Sequence, residues 1–405
     1  MNIESLQEEA KRLLDANAKE GNGYYYTAPS RKKYPHQWSW DSSFHAIVNG
    51  HLGRTNLAKR EIITLLSKIM PDGTLPHIIF HDRSLASLSN RVLRSYWPRN
   101  DRSPLVQPPV VALAVRDVWR KTGDEGFLGQ TLPLLERHFE WLAAKRRFGD
   151  SPLVSIISPW ECGLDHKPAF DPLLGRLAKL PFGRYITLYS SEMKLAWHRF
   201  DLEVIVRKKY FNVREVTFNT IYALGLEALS DIFADMKDES KAGYYRTRCA
   251  EVEKAIFAEC YDSASGLCFD VDANTGEFLA EPSISCLFPL ALNNVPQEKY
   301  ESLVSHLTNT EEFWLRFPVP SVPRNSRYFE PNDKRYLWRG PTWINTNWFI
   351  ASGLRRHGYD DPADVIAQSS RDLVRQSGFC EYYNPITGEG GGQKDFGWST
   401  LAAII

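Results

Sequence analysis

Apolar residues recur at three- and four-residue steps along most of this chain, in segments separated by breaks of only a few residues. That pattern restricts it to stacked helical hairpins. After Thr122-Gly123-Asp124, the residues Leu128, Leu132, Leu135, Phe139 and Leu142 fall on one helix face, and the same step returns at Tyr245, Cys249, Val252 and Ile256. Further helices are expected roughly over 54–70, 109–121, 216–236, 296–307, 342–356 and 362–377. Breaks such as Lys121-Thr122-Gly123-Asp124 and Lys237-Asp238 suit antiparallel pairs. Strand-like alternation is scarce. Hairpins repeated end to end suggest a closed all-α toroid; helix pairing alone does not distinguish it from a solenoid, but no strict repeat period is evident. With no glycine- or serine-rich linker to divide it, residues 1–405 are read as one domain.

Composition narrows the ligand. Lysine plus arginine and aspartate plus glutamate stand at 49 each, so no global field draws nucleic acid or an anionic membrane. A neutral small molecule fits better than a polyanion. The six cysteines form no C-x-x-C pair and no zinc spacing, and are read as free thiols of a cytoplasmic protein without a metal or cofactor. Residues 1–20 alternate charged and apolar positions and lack the unbroken apolar run of a signal peptide, and no stretch approaches ~20 apolar residues.

Against that background three tryptophan- or tyrosine-rich segments carry carboxylates: Gln37-Trp38-Ser39-Trp40-Asp41, Pro159-Trp160-Glu161-Cys162-Gly163-Leu164-Asp165 and Glu381-Tyr382-Tyr383-Asn384-Pro385. Aromatic faces cover the apolar faces of a sugar ring, while carboxylates bind its hydroxyls and exchange protons with glycosidic oxygen and water. The segments are read as lying between helices, punctuated by proline and glycine. Irregular stretches near 168–185, 204–214 and 317–334 are expected to cover the mouth of a pocket.

Six motifs in order carry a resemblance: Trp38-Ser39-Trp40-Asp41, Gly73-Thr74-Leu75-Pro76-His77, Gln107-Pro108-Pro109, Trp160-Glu161-Cys162-Gly163-Leu164-Asp165, Trp338-Arg339-Gly340-Pro341-Thr342-Trp343 and Glu381-Tyr382-Tyr383-Asn384-Pro385. Over about residues 34 to 399 the chain resembles glycoside hydrolase family 63, in size and layout its short bacterial mannosylglycerate and glucosylglycerate hydrolases. The resemblance implies an (α/α)6 barrel and inverting, metal-independent hydrolysis of an α-glycosidic bond. It implies Asp165 as general acid and Glu381 as general base. Inversion needs two carboxyls about 6.5–9.5 Å apart with water between them, and an acid that keeps its proton near neutrality. Trp160 and Glu161, adjacent to Asp165, are candidates for raising its affinity for that proton.

Sugar contacts are expected from Tyr34, Trp38 and Asp41, which keep the family's spacing, and from Trp40, His77, Gln107, Trp160, Trp338, Arg339 and Gly340. Structural alternatives stand beside each. Asp41 also suits the N-cap of a helix starting at Ser42, Gln107 a helix start, and His77 a satisfied core position. With 12 tryptophans, Trp38 and Trp40 are as readily core as platform. Arg339 suits Glu381, a hydroxyl, an acidic aglycone or a structural ion pair. His45 is read as structural. Two departures bear on the leaving group: His166-Lys167-Pro168 replaces the common Asn-Ser-Pro after the acid, and Leu337 stands where an aromatic often precedes Trp338. His166, Lys167, Arg324, Arg327 and Lys334 are read as a basic rim. Rival readings are a trehalase or processing glucosidase on the same barrel, an epimerase, which lacks the paired histidines it needs here, and a non-catalytic sugar binder.

Overall fold

The computed structural model describes residues 2–82, 94–95, 97–175, 183–332 and 337–405, without the side chains of Arg184 and Tyr185. Its helices are α1 (Ile3–Asn17), α2 (Ser39–His51), α3 (Thr55–Leu66), α4 (Val111–Thr122), α5 (Glu125–Lys145), α6 (Asp171–Leu174) and α7 (Gly183–Trp197). After them come α8 (Leu202–Arg207), α9 (Val216–Asp235), α10 (Glu239–Ala255), α11 (Gln297–Leu307), α12 (Ile344–Arg356) and α13 (Asp360–Ser377). The helices expected from periodicity all form, with ends shifted by a few residues. Local chemistry sets those ends. Asp124 accepts from Phe127 N at 2.9 Å and Asp238 from Lys241 N at 3.0 Å, capping α5 and α10. Gly123 closes α4 in the left-handed region at φ +59°.

Six elements form a closed inner ring: α2, α4, α9, the 3-10 segment Ile284–Ala291, α12 and the 3-10 segment Gly397–Ala403. Each packs on the next and the last packs on α2. They are the most buried stretches, with every residue of both 3-10 segments inside. An outer layer of α3, α5, α10, α11, α13 and α1 backs them one for one, giving the (α/α)6 barrel. The sixth pair joins the two ends of the chain, α1 with Gly397–Ala403. One hydrophobic cluster runs from Leu6 to Ala403.

Among the described residues the strands make five two-stranded antiparallel sheets, all short. No described helix is long and apolar enough to cross a membrane. The loops expected to cover the mouth are only partly irregular. Residues 168–170 form a 3-10 turn, α6 follows directly, α7 begins at Gly183, and α8 takes residues 204–207. Residues 176–182 and 333–336, parts of the first and third stretches, lie outside the described residues, as does Lys334.

Candidate active site

Three motif segments lead directly into inner-ring helices, Trp38–Asp41 into α2, Gln107–Pro109 into α4 and Trp338–Trp343 into α12, and hydrogen bonds tie motifs and neighbouring segments together. Gln107 Oε1 accepts from Trp40 N at 3.1 Å, Ser285 Oγ donates to Glu215 Oε1 at 2.8 Å, and Ser321 N donates to Pro341 O at 2.9 Å. Thr342 and Tyr383 exchange backbone bonds at 2.8 and 2.9 Å. Residues far apart in sequence are thereby brought to one end of the barrel.

Glu381 lies on the strand Cys380–Tyr383, paired with the strand Gly390–Lys394. The pairing slips between Gly391 and Lys394, and this irregularity aims Gln393 N at Glu381 Oε2, 2.9 Å away. Gly392, at φ +70°, sits where a Cβ would strike that carboxylate. Tyr34 Oη donates to Glu381 Oε1 at 3.2 Å, and the Lys33 ammonium lies 5.2 Å from the Tyr34 ring centroid. Burial pushes the Glu381 carboxyl above its ordinary range. The Gln393 amide, Lys33 and Tyr34 pull it back, and the charge of Asp165 adds to the rise.

Asp41 is in the first turn of α2, which begins at Ser39, so it is not the N-cap of a helix starting at Ser42. Its side chain is 2% exposed and Oδ1 has no protein partner. Burial drives its carboxyl well above the carboxylate range, and the charges of Glu381 and Glu61 drive it further. Trp38 Nε1 and His77 Nδ1 are likewise buried without a partner. His77, edge-on to Trp38 with ring centroids 5.4 Å apart, is held neutral by burial, its pKa down at about 3. Trp38 and Trp160 are both half-buried and pack on one small cluster of Ile78, Phe80 and Trp97. Tyr34 meets Trp38 edge to face at 5.9 Å.

Asp165 stands in an irregular turn, its side chain 28% exposed, with His166 Nε2 3.2 Å from Oδ2. Gly163, at φ +77°, lets this turn settle directly on the Trp40 ring. The charge of Asp165 acts on Glu381, and that of Glu381 on Asp41.

Other expected residues turn out to hold the site together. Trp40 is 4% exposed and packs edge-on to Trp398, a core position. Gln107 does not cap the helix that follows it, whose N-cap is Val110; its side chain instead meets the first turn of α2 at Trp40 N. Trp338 is 2% exposed and stacked on Trp343 at 3.8 Å. Arg339 reaches Asp171 through two bonds of 2.7 and 2.8 Å and His166 O at 3.2 Å, so it clamps the turn that carries Asp165 rather than Glu381. Gly340, at φ +132°, admits the backbone of residues 330–331. Glu161 does not serve Asp165 as a like charge. Arg146 takes both its oxygens, at 2.8 and 2.5 Å, and Val106 N and Ile157 N donate to it at 3.1 and 2.8 Å. His45 is buried 3.6 Å from Glu61, as its structural reading requires.

The basic rim is corrected most sharply. Lys167 is fully buried, its ammonium bound to Glu215, to Asp270 at 2.7 Å and to Ser285 Oγ at 2.8 Å. Burial opposes that charge, but Asp270 and Glu215 hold Lys167 protonated, while burial pushes Asp270 up to about 6. His166 is 2% exposed, and Arg327 pairs with Glu281. Sequence reasoning missed Lys33, Gln393 and Gly392. Only the glycine run Gly390-Gly391-Gly392 signalled a close backbone approach there.

A family profile described as the mannosylglycerate hydrolase MGH1-like glycoside hydrolase domain matches residues 34–399. The mannosylglycerate hydrolase of Thermus thermophilus is 31% identical, over 94% of this chain and 96% of its own. The glucosylglycerate hydrolase of Mycolicibacterium hassiacum is 28% identical, over 92% and 91%. A crystal structure of the family 63 mannosylglycerate hydrolase from Thermus thermophilus, in complex with Tris and D-glycerate, superposes with a TM-score of 0.86. It is 30% identical, over 98% of this chain and 99% of that one. With the barrel and nearly the whole sequence in agreement, the chain belongs to the MGH1-like glycoside hydrolases.

Proposed function

We propose that this enzyme is an inverting α-glycosidase in which Asp165 protonates the leaving oxygen and Glu381 takes a proton from the attacking water. The observation that carries the reading is the convergence of Glu381, Asp165 and Asp41 from three distant segments, each carboxylate in a different environment. Protonated Asp165 gives its proton to the glycosidic oxygen as the C1–O bond breaks. Water adds to C1 from the opposite face and its proton passes to Glu381, leaving a β-sugar and a free alcohol. Exchange with solvent then returns both carboxyls to their starting states. Buried Asp41, Trp38 Nε1 and His77 Nδ1 are polar atoms that sugar hydroxyls would complete, and half-buried Trp38 and Trp160 offer the apolar ring a face.

For substrate, the named relatives favour a mannosyl or glucosyl glycoside of glycerate, a small molecule with an acidic aglycone. The continuous core from Leu6 to Ala403 supports one catalytic domain, and six buried free cysteines suit the reducing cytoplasm. Proton NMR of the first-formed anomer tests the chemistry: β-product is expected, and α-product would sink inversion. A panel of mannosylglycerate, glucosylglycerate, trehalose and neutral α-glucosides tests the substrate. Preference for the glycerates with competitive inhibition by D-glycerate is expected, and preference for trehalose would replace that reading.

A further inference from the structure

The departure His166-Lys167, expected at a rim, lies instead behind Asp165. Lys167 is anchored in the core by Glu215, Asp270 and Ser285. On its other side, His166 O is held by Arg339, itself fixed to Asp171 by two bonds. The backbone on the C-terminal side of the imidazole is therefore tied to other elements. The ring, 2% exposed, has no room to swing into solvent. Its Nε2 lies 3.2 Å from Asp165 Oδ2.

A carboxyl on an irregular turn has two oxygens, either of which can face a substrate. A general acid must present one oxygen, with its proton, to the leaving group. From this geometry we infer that His166 is a positioning residue for the acid. Held 3.2 Å from Oδ2, Nε2 with a ring hydrogen comes within hydrogen-bond reach of that oxygen and turns Oδ1 toward the glycosidic oxygen. As the proton leaves Oδ1, the bond to Oδ2 becomes charge-assisted and strengthens, so it stabilises the transition state more than the ground state. The inference rests on Asp165 being the acid, and its test separates the two.

A glycosyl fluoride departs with little help from an acid, whereas an alkyl glycoside requires it. The test compares kcat and KM of wild type, His166→Ala, His166→Gln and Asp165→Ala on the alkyl α-glycoside hydrolysed best and on the α-glycosyl fluoride of the same sugar. His166→Ala should lower kcat on the alkyl glycoside about 10- to 100-fold, with KM and the fluoride rate within about threefold. His166→Gln, whose amide reaches where Nε2 stands, should recover most of the loss. Asp165→Ala should show the same split, larger. Equal loss on both substrates, or none, in His166→Ala overturns the positioning role while a split in Asp165→Ala leaves the acid in place. No split in Asp165→Ala overturns both. Should the alanine variant not fold, His166→Phe keeps the ring and volume without the nitrogen and is read in the same way.

Discussion

Tyr34 donates its hydroxyl to Glu381 Oε1 across 3.2 Å, joining residues 347 positions apart. The bond favours the ionised form that a base needs, against burial that disfavours it. With Lys33 over the Tyr34 ring, it keeps Glu381 available to water. Tyr34→Phe and Lys33→Ala each remove an influence that lowers the Glu381 pKa. The acid limb of the kcat/KM profile should therefore move to higher pH in both variants. An unmoved limb in both would separate Glu381 from that limb.

Asp165→Asn and Glu381→Gln should each reduce kcat by about a thousandfold or more, because each removes one of two proton carriers. Melting temperature and binding of the free sugar should be retained. Calorimetry and circular dichroism on both variants check this, and wild-type-like rates would remove the assignments.

Gly392→Ala should cost turnover rather than sugar binding, since the added Cβ falls against the Glu381 carboxylate at a backbone angle suited to glycine. A drop of about 10-fold or more in kcat with little change in KM is the expected split. Unchanged kinetics would mean that the hairpin does not place the base.

Lys167→Met should destabilise the fold by about 3–5 kcal/mol, because Glu215 and Asp270 would be left buried without their cation. Urea melts of the variant measure it. A loss under ~1 kcal/mol would show that water or rearrangement compensates the cage.

Glu192 gives a pH signature. Buried behind the aromatic wall, it accepts from Trp97 Nε1 at 2.8 Å, its second oxygen has no partner, and burial pushes its pKa up to about 7. The folded value lies above the unfolded one, so the protonated group stabilises fully at low pH, and that stability is lost as pH rises from about 4.5 through 7. Glu192→Gln should thus gain on wild type across that interval, by on the order of 3 kcal/mol, and hold the gain above it. Thermal melts at pH 4, 6 and 8, read as the difference between the two proteins, check the slope. A difference independent of pH would show that folding leaves the Glu192 pKa unshifted.

Much of this protein is legible in the residues themselves. Helical periodicity located the hairpins, as at Leu128 to Leu142 in α5, because a buried helix face repeats within a few residues of itself. The aromatic–carboxylate motifs marked Asp41, Asp165 and Glu381, and the charge of Asp165 acts on Glu381 as that of Glu381 does on Asp41. Partner choice was not legible. Lys167, Arg339 and Glu161 are alike in sequence, each a charge inside a motif. Only the meeting of distant segments gave them to Glu215 and Asp270, to Asp171 and to Arg146. Closure of the ring was also a tertiary decision, made by pairing α1 with Gly397–Ala403 from the far end of the chain. Secondary structure follows from neighbours along the chain. The partner of a charge, and hence its burial and its proton, follows from neighbours in space.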